Sequence, residues 1–105
     1  MNKYKFFYHK GDELYYNGNF VKALECFKRA FSIEKNYDCA NYIGCCYLQL
    51  NELERAEEMF VKIIHQATED EIQWETPYIG LARIYIKKGQ YDRAIWGRTF
   101  FGIIY

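Results

Sequence analysis

Residues 11–30 read GDELYYNGNFVKALECFKRA, residues 44–63 read GCCYLQLNELERAEEMFVKI, and residues 82–101 read ARIYIKKGQYDRAIWGRTFF. Laid over one another, these stretches agree in columns. Gly11 meets Gly44 and Ala82, Leu14 meets Tyr47 and Tyr85, and Gly18 meets Asn51 and Gly89. Phe20 meets Leu53 and Tyr91, Ala23 meets Ala56 and Ala94, Phe27 meets Phe60 and Arg98, and Ala30 meets Ile63 and Phe101. The offset is 33 residues from the first copy to the second and 38 from the second to the third, with the extra residues around Thr68–Thr76. Self-similarity held in register at a fixed period is the mark of a repeat architecture, in which each unit completes its core by stacking on the next.

Each copy reads as two helices. Phe7, Gly11 and Leu14 share a face, as do Ile43, Tyr47 and Leu50, and then Tyr78, Leu81 and Tyr85. These are spacings of three, four and seven, the helical period rather than the alternation of a strand. A breaker comes after each one: Asn17-Gly18-Asn19, Leu50-Asn51-Glu52 and Lys88-Gly89-Gln90. Glycine or asparagine there can adopt the left-handed backbone that ends a helix. Asn51 with Glu54 reads as a capping box, and Thr76-Pro77 as an N-cap followed by a proline whose missing N–H costs nothing. The expected helices are 4–16, 20–34, 38–50, 53–67, 77–88 and 91–103. Small residues in the paired helices, Gly11, Gly44 and Ala82 against Ala23, Ala56 and Ala94, are expected to let the two helices of a unit approach closely.

The composition agrees with a folded chain. Of 105 residues, 50% are apolar and 20% aromatic with a single proline, which excludes a disordered tail or a proline-rich segment. Fourteen basic residues balance fourteen acidic ones, whereas a binder of phosphate backbones carries a basic excess. Nucleic acid is therefore not expected as a partner. The start, MNKYKFFYHKGDELYYNG, lacks the apolar core of a secretory signal, and no apolar run reaches the roughly 20 residues of a membrane span. A cytoplasmic chain without a membrane partner is expected. Cys26, Cys39, Cys45 and Cys46 form no CxxC, and neither His9 nor His65 stands at a zinc-finger spacing, so the cysteines read as small buried hydrophobes.

At these residues the chain resembles the tetratricopeptide repeat family of helix–turn–helix units. The family pattern appears as Phe7-x2-Lys10-Gly11-x2-Leu14 with Ala23-x3-Phe27 and Ala30. It returns as Ala40-x2-Ile43-Gly44-x2-Tyr47 with Ala56-x3-Phe60 and Ile63, and as Tyr78-x2-Leu81-Ala82-x2-Tyr85 with Ala94. It departs from the pattern where Lys35 and Thr68 replace the closing proline, and Arg98 an aromatic. The resemblance implies an all-α solenoid of three antiparallel hairpins, six helices in a single domain 1–105, with repeats at about 4–36, 37–70 and 75–105. It further implies a non-catalytic interaction module that takes a peptide or partner helix in a concave groove.

Groove positions carried over by the resemblance are Tyr8, Asp12 and Tyr15 from the first repeat, Asn41, Cys45 and Gln49 from the second, and Ile79, Arg83 and Lys87 from the third. Relatives that grip the carboxyl terminus of chaperones use a cationic clamp. The matching positions here are Tyr8, Asp12, Tyr42, Thr76 and Gly80, and Asp12 would repel a carboxylate. No enzyme motif occurs: Ser32 is the single serine, and there is no glycine-rich phosphate loop or HExxH pair. No catalytic residue, metal or cofactor is expected. The C-terminal run carries Trp96, Phe100, Phe101, Ile103, Ile104 and Tyr105 where a solenoid would need a polar end. That run marks an alternative, self-association or continuation into a longer array that belongs to a larger regulator or enzyme.

Overall fold

The computed structural model describes residues 2–66 and 76–89. Five helices occupy them: α1 (Lys3–Tyr16), α2 (Phe20–Ile33), α3 (Tyr37–Gln49), α4 (Leu53–Gln66) and α5 (Thr76–Lys87). Each packs on the next in the chain, and α3 also meets α5. The fold is all-α, made of helical hairpins, and among the described residues there is no strand. The sixth expected helix, 91–103, lies outside the described residues, as do the ends of the second and third repeats.

The turns repeat at the level of single bonds. Gly18 (φ 82°), Asn51 (φ 60°) and Gly89 (φ 76°) are the left-handed residues of the three turns, one per repeat. Gly18 N–H donates to the Tyr15 carbonyl at 3.0 Å and Asn19 N–H to that of Leu14 at 2.9 Å. Asn51 N–H and Glu52 N–H do the same to Leu48 and Tyr47 at 3.0 and 2.9 Å. This pair of bonds closes the last carbonyls of a helix over a residue that must be left-handed. The capping box expected at Asn51 and Glu54 is therefore not formed. Asn51 is spent on ending α3, and Glu52, whose carbonyl accepts from Ala56 N–H, stands at the start of α4. Thr76 is likewise the first helical residue of α5 rather than its cap, which still leaves Pro77 in the first turn.

Three asparagines cap the first three helices. Asn2 Oδ1 accepts from Lys5 N–H at 2.7 Å, Asn19 Oδ1 from Lys22 N–H at 3.4 Å, and Asn36 Oδ1 from Asp38 N–H at 2.8 Å. A side-chain oxygen at this position satisfies one of the donors a helix start leaves open.

The core forms where the repeat columns meet. Ala23, Phe27, Ala30, Cys39, Cys46, Ala56, Phe60 and Ile84 are fully buried. The mid-helix glycines meet phenylalanine rather than the small residues expected opposite them. A Cβ on Gly11 would stand 2.8 Å from the Phe27 ring, and one on Gly44 would stand 2.8 Å from Phe60. The ring lies against the bare backbone, so the absent side chain makes room for an aromatic, and the alanines pack elsewhere in the same core. Gly80 extends the scheme, since a Cβ there would stand 2.6 Å from the other edge of Phe60. One ring is thus held between α3 and α5.

Eight residues of α3 are buried, against one in α1. The second repeat's first helix is therefore the central one, covered on most of its faces, and only a narrow edge of it reaches the surface.

Candidate functional site

A cavity of about 410 Å³ opens along that edge, lined by Tyr8, Tyr15 and Tyr16 of α1, Asp38, Asn41, Tyr42 and Cys45 of α3, and Arg83 of α5. The first helix of every repeat thus contributes. On α3 the four lining residues fall at spacings of three, four and seven, one stripe of a helix whose remaining faces are buried.

Tyr42 organises the aromatic wall. Its ring stacks on Phe27 at 4.5 Å and 12° and meets Tyr8 and Tyr15 edge-on at 5.7 and 5.5 Å. Its hydroxyl donates to Asp12 Oδ1 at 2.5 Å, tying α3 to α1. Burial and that acceptor push the Tyr42 phenol far above its ordinary range. Tyr8 is pushed up to about 12, by burial first and then by the carboxylates of Asp38 and Asp12. Tyr15 is raised by burial, and the Gln49 side chain beside it works in the opposite direction.

The polar groups of the wall are unevenly matched. Asn41 is only 9% exposed, and among the described residues its Oδ1 has no hydrogen-bond partner. An unmade bond of this kind costs about 1–3 kcal/mol. Asp38 is half-buried, its carboxyl raised from 3.8 by desolvation. Among the described residues neither Asp12 nor Asp38 forms an ion pair; the pairs there join Arg55 to Glu52, and Lys88 to Glu54 and Glu57. Cys45, half-buried in the wall, has its thiol pushed up to about 11 by burial. The thiols of Cys39 and Cys46 are pushed up to about 12 by burial, and Cys39 Sγ donates to the Phe27 carbonyl at 3.0 Å. All four cysteines are free.

Of the groove positions expected from the sequence, Tyr8, Tyr15, Asn41, Cys45 and Arg83 line this cavity. Asp12 reaches it through its bond to Tyr42, and Gln49 stands beside Tyr15. Ile79 (44% exposed) and Lys87 lie on α5 at four-residue steps on either side of Arg83, in solvent. Tyr16, Asp38 and Tyr42 line the cavity in addition to the expected groove residues. The spacing of Asp38 and Tyr42 from Asn41 and Cys45 is the sequence signal available for two of them. Trp96, Phe100, Ile103, Ile104 and Tyr105 lie outside the described residues, and no helix among the described ones is long and apolar enough to cross a membrane.

Comparison with known proteins bears on the same columns. A family profile described as tetratricopeptide repeat matches residues 14–76, and another with that description matches residues 78–95. Over 83 residues the chain is 26% identical to the BBSome complex member BBS4 of Bos taurus, covering 78% of this chain. The chain spans 15% of the length of that bovine protein. With most of its length matched, and one left-handed turn residue in each of three repeats, the chain belongs to the tetratricopeptide repeat family.

Proposed function

We propose that this chain is a three-repeat solenoid, completed by a sixth helix, that binds a peptide or partner helix in the groove between α1, α3 and α5 without catalysing a reaction. Repeats of this family generally mediate protein–protein interaction, and no enzymatic family is indicated. The observation that carries the reading is the cavity to which the first helix of each repeat contributes. A side chain entering it would meet aromatic faces, amide and carboxylate acceptors and one guanidinium, the mixture of apolar area and oriented polar groups that protein recognition uses. The similarity to a named member of a protein complex supports a role within a multi-protein assembly, and a place in a longer array accords with it.

The test is charge reversal at the two basic groove positions. In Arg83→Glu/Lys87→Glu, a partner captured by the native chain is expected to be lost while helical content and self-association stay unchanged. Retained capture together with altered self-association would move the function from the groove to the ends. A second reading is self-association through the large apolar side chains of Trp96, Phe100, Ile103, Ile104 and Tyr105.

A further inference from the structure

The carboxylates of the groove are gathered at one end, beside an acceptor left unmatched among the described residues. At the end formed by α1 and α3, the Asn41 Oδ1 is buried without a partner, and the Asp38 carboxylate is partly stripped of water with no cation paired to it among the described residues. Asp12 adds a second carboxylate, and both act on Tyr8 between them. The Tyr42 hydroxyl donates to Asp12, and at the start of α3 the Asp38 N–H donates to the Asn36 side chain. The walls are tyrosine rings, whose faces carry the negative lobe of the ring quadrupole and attract a cation. Arg83, the one basic group lining the cavity among the described residues, comes from α5 and is exposed.

We propose that the end of the groove bounded by Tyr8, Asp38, Asn41 and Tyr42 receives a lysine or arginine side chain of the bound protein segment, its N–H groups donating to Asn41 Oδ1 and the Asp38 carboxylate. The inference rests on the groove reading and adds the chemistry of the ligand to it. An ammonium offers three donors and a guanidinium five, with no acceptor to waste against an acceptor-rich wall. An aliphatic or aromatic side chain would dehydrate Asn41 Oδ1 and Asp38 further without pairing either. An acidic or phosphorylated side chain would meet two carboxylates at close range. The methylene stem of lysine or arginine fits what the rest of the cavity provides, since such stems lie along apolar and aromatic surface while the charged head finds its partner. Arg83 then faces the remainder of the segment, where its fork suits a carbonyl or carboxylate.

Selection from a random peptide display library against the full chain tests the proposal, followed by measured affinities for one selected peptide and its derivatives. The selected sequences are expected to share a lysine or arginine. Replacing that residue by norleucine, which keeps the stem and removes the charge, is expected to weaken binding about tenfold. Asp38→Asn should weaken the basic peptide about as much and leave the norleucine peptide unchanged, and affinity for the basic peptide alone should fall with salt. Bound peptide should slow alkylation of Cys45, which places it in the cavity. Asp38→Asn is a conservative change at a half-buried position, so circular dichroism serves as its folding control. Asn41→Leu, at a buried position, is a second arm read only if it folds, with Asp38→Asn sufficient alone. Peptides that bind, protect Cys45 and are lost in Arg83→Glu, yet share no basic residue and ignore Asp38→Asn, would overturn the inference and leave the groove reading standing. Failure to select any peptide that protects Cys45 would overturn both.

Discussion

Gly80 shows how much can hang on one missing methyl group. In the second repeat its column holds Tyr42, whose ring covers Phe27; in the third it holds glycine, and the α5 backbone itself lies on Phe60. Alanine in a helix interior is ordinarily better than glycine by about 1 kcal/mol. Here the added Cβ would stand 2.6 Å from a ring that is fully buried and pressed from its other side by Gly44, so the ring has nowhere to go. Overpacking of this kind costs about 1–3 kcal/mol. Gly80→Ala is therefore expected to lower stability by about 1–2 kcal/mol in urea unfolding, against the propensity trend. A gain would mean that the ring has room to tilt. In the third repeat the column of Gly11 and Gly44 holds Ala82, and the phenylalanine column holds Arg98.

Asp38 is pulled two ways: desolvation raises its carboxyl pKa, while its place in the first turn of α3 favours a negative charge. Burial raises its folded pKa above 3.8, so between the two values the folded chain holds more proton than the unfolded one. Stability then falls as pH rises through that window, and the cost is fully present above it. Asp38→Asn is expected to be more stable than the native chain at pH 7 in chemical denaturation, with the difference shrinking towards about pH 3. No such pH dependence would mean that the carboxylate is well solvated.

Among the elements, α3 shows most plainly how sequence becomes position. Asn36 starts it, Asn51 ends it, and between them most faces are buried while the stripe of Asp38, Asn41, Tyr42 and Cys45 is left to the cavity. The turn to α4 depends on a left-handed residue that carries a side chain, a conformation asparagine tolerates and alanine resists. Asn51→Gly is expected to hold or slightly raise the melting temperature, and Asn51→Ala to lower stability by about 1 kcal/mol. Equal stabilities for the two variants would show that the turn relaxes to another geometry. The helix boundaries are legible in the sequence to within about a residue because breakers and caps are local chemistry. The capping box is not, because Asn51 has two possible uses. Which one applies is settled by the bonds from Asn51 and Glu52 back to α3.

Across the whole molecule, stacking explains burial that no single repeat contains. Phe6, Cys39 and Pro77 share a column, as do Glu13, Cys46 and Ile84. In α3 and α5 these positions are buried against the preceding hairpin, whereas in α1 Phe6 is 56% exposed and Glu13 lies in solvent. The outward side of α1 also carries exposed His9 and Lys10, so Phe6 stands there among polar neighbours. Self-association, if present, is therefore expected to run through the C-terminal aromatic run. Light scattering at high micromolar concentration checks this: a folded monomer would remove that reading, and a dimer dispersed by Trp96→Ser/Phe100→Ser but not by Phe6→Ser would support it.

Sequence alone determined the repeat, its period, the five described helices and the left-handed turn residues, because each depends on neighbours within a turn or two of the chain. The family came from the same columns, and five of the positions expected from them line the cavity. Tertiary structure decided what the columns are for. That Gly44 and Gly80 hold one ring between them, that Tyr42 ties α3 to Asp12, and that Asn41 keeps a buried acceptor unpaired are all facts about residues brought together from different helices. Distances and desolvation of that kind arise only when the helices stack, and a periodicity along one chain cannot encode them.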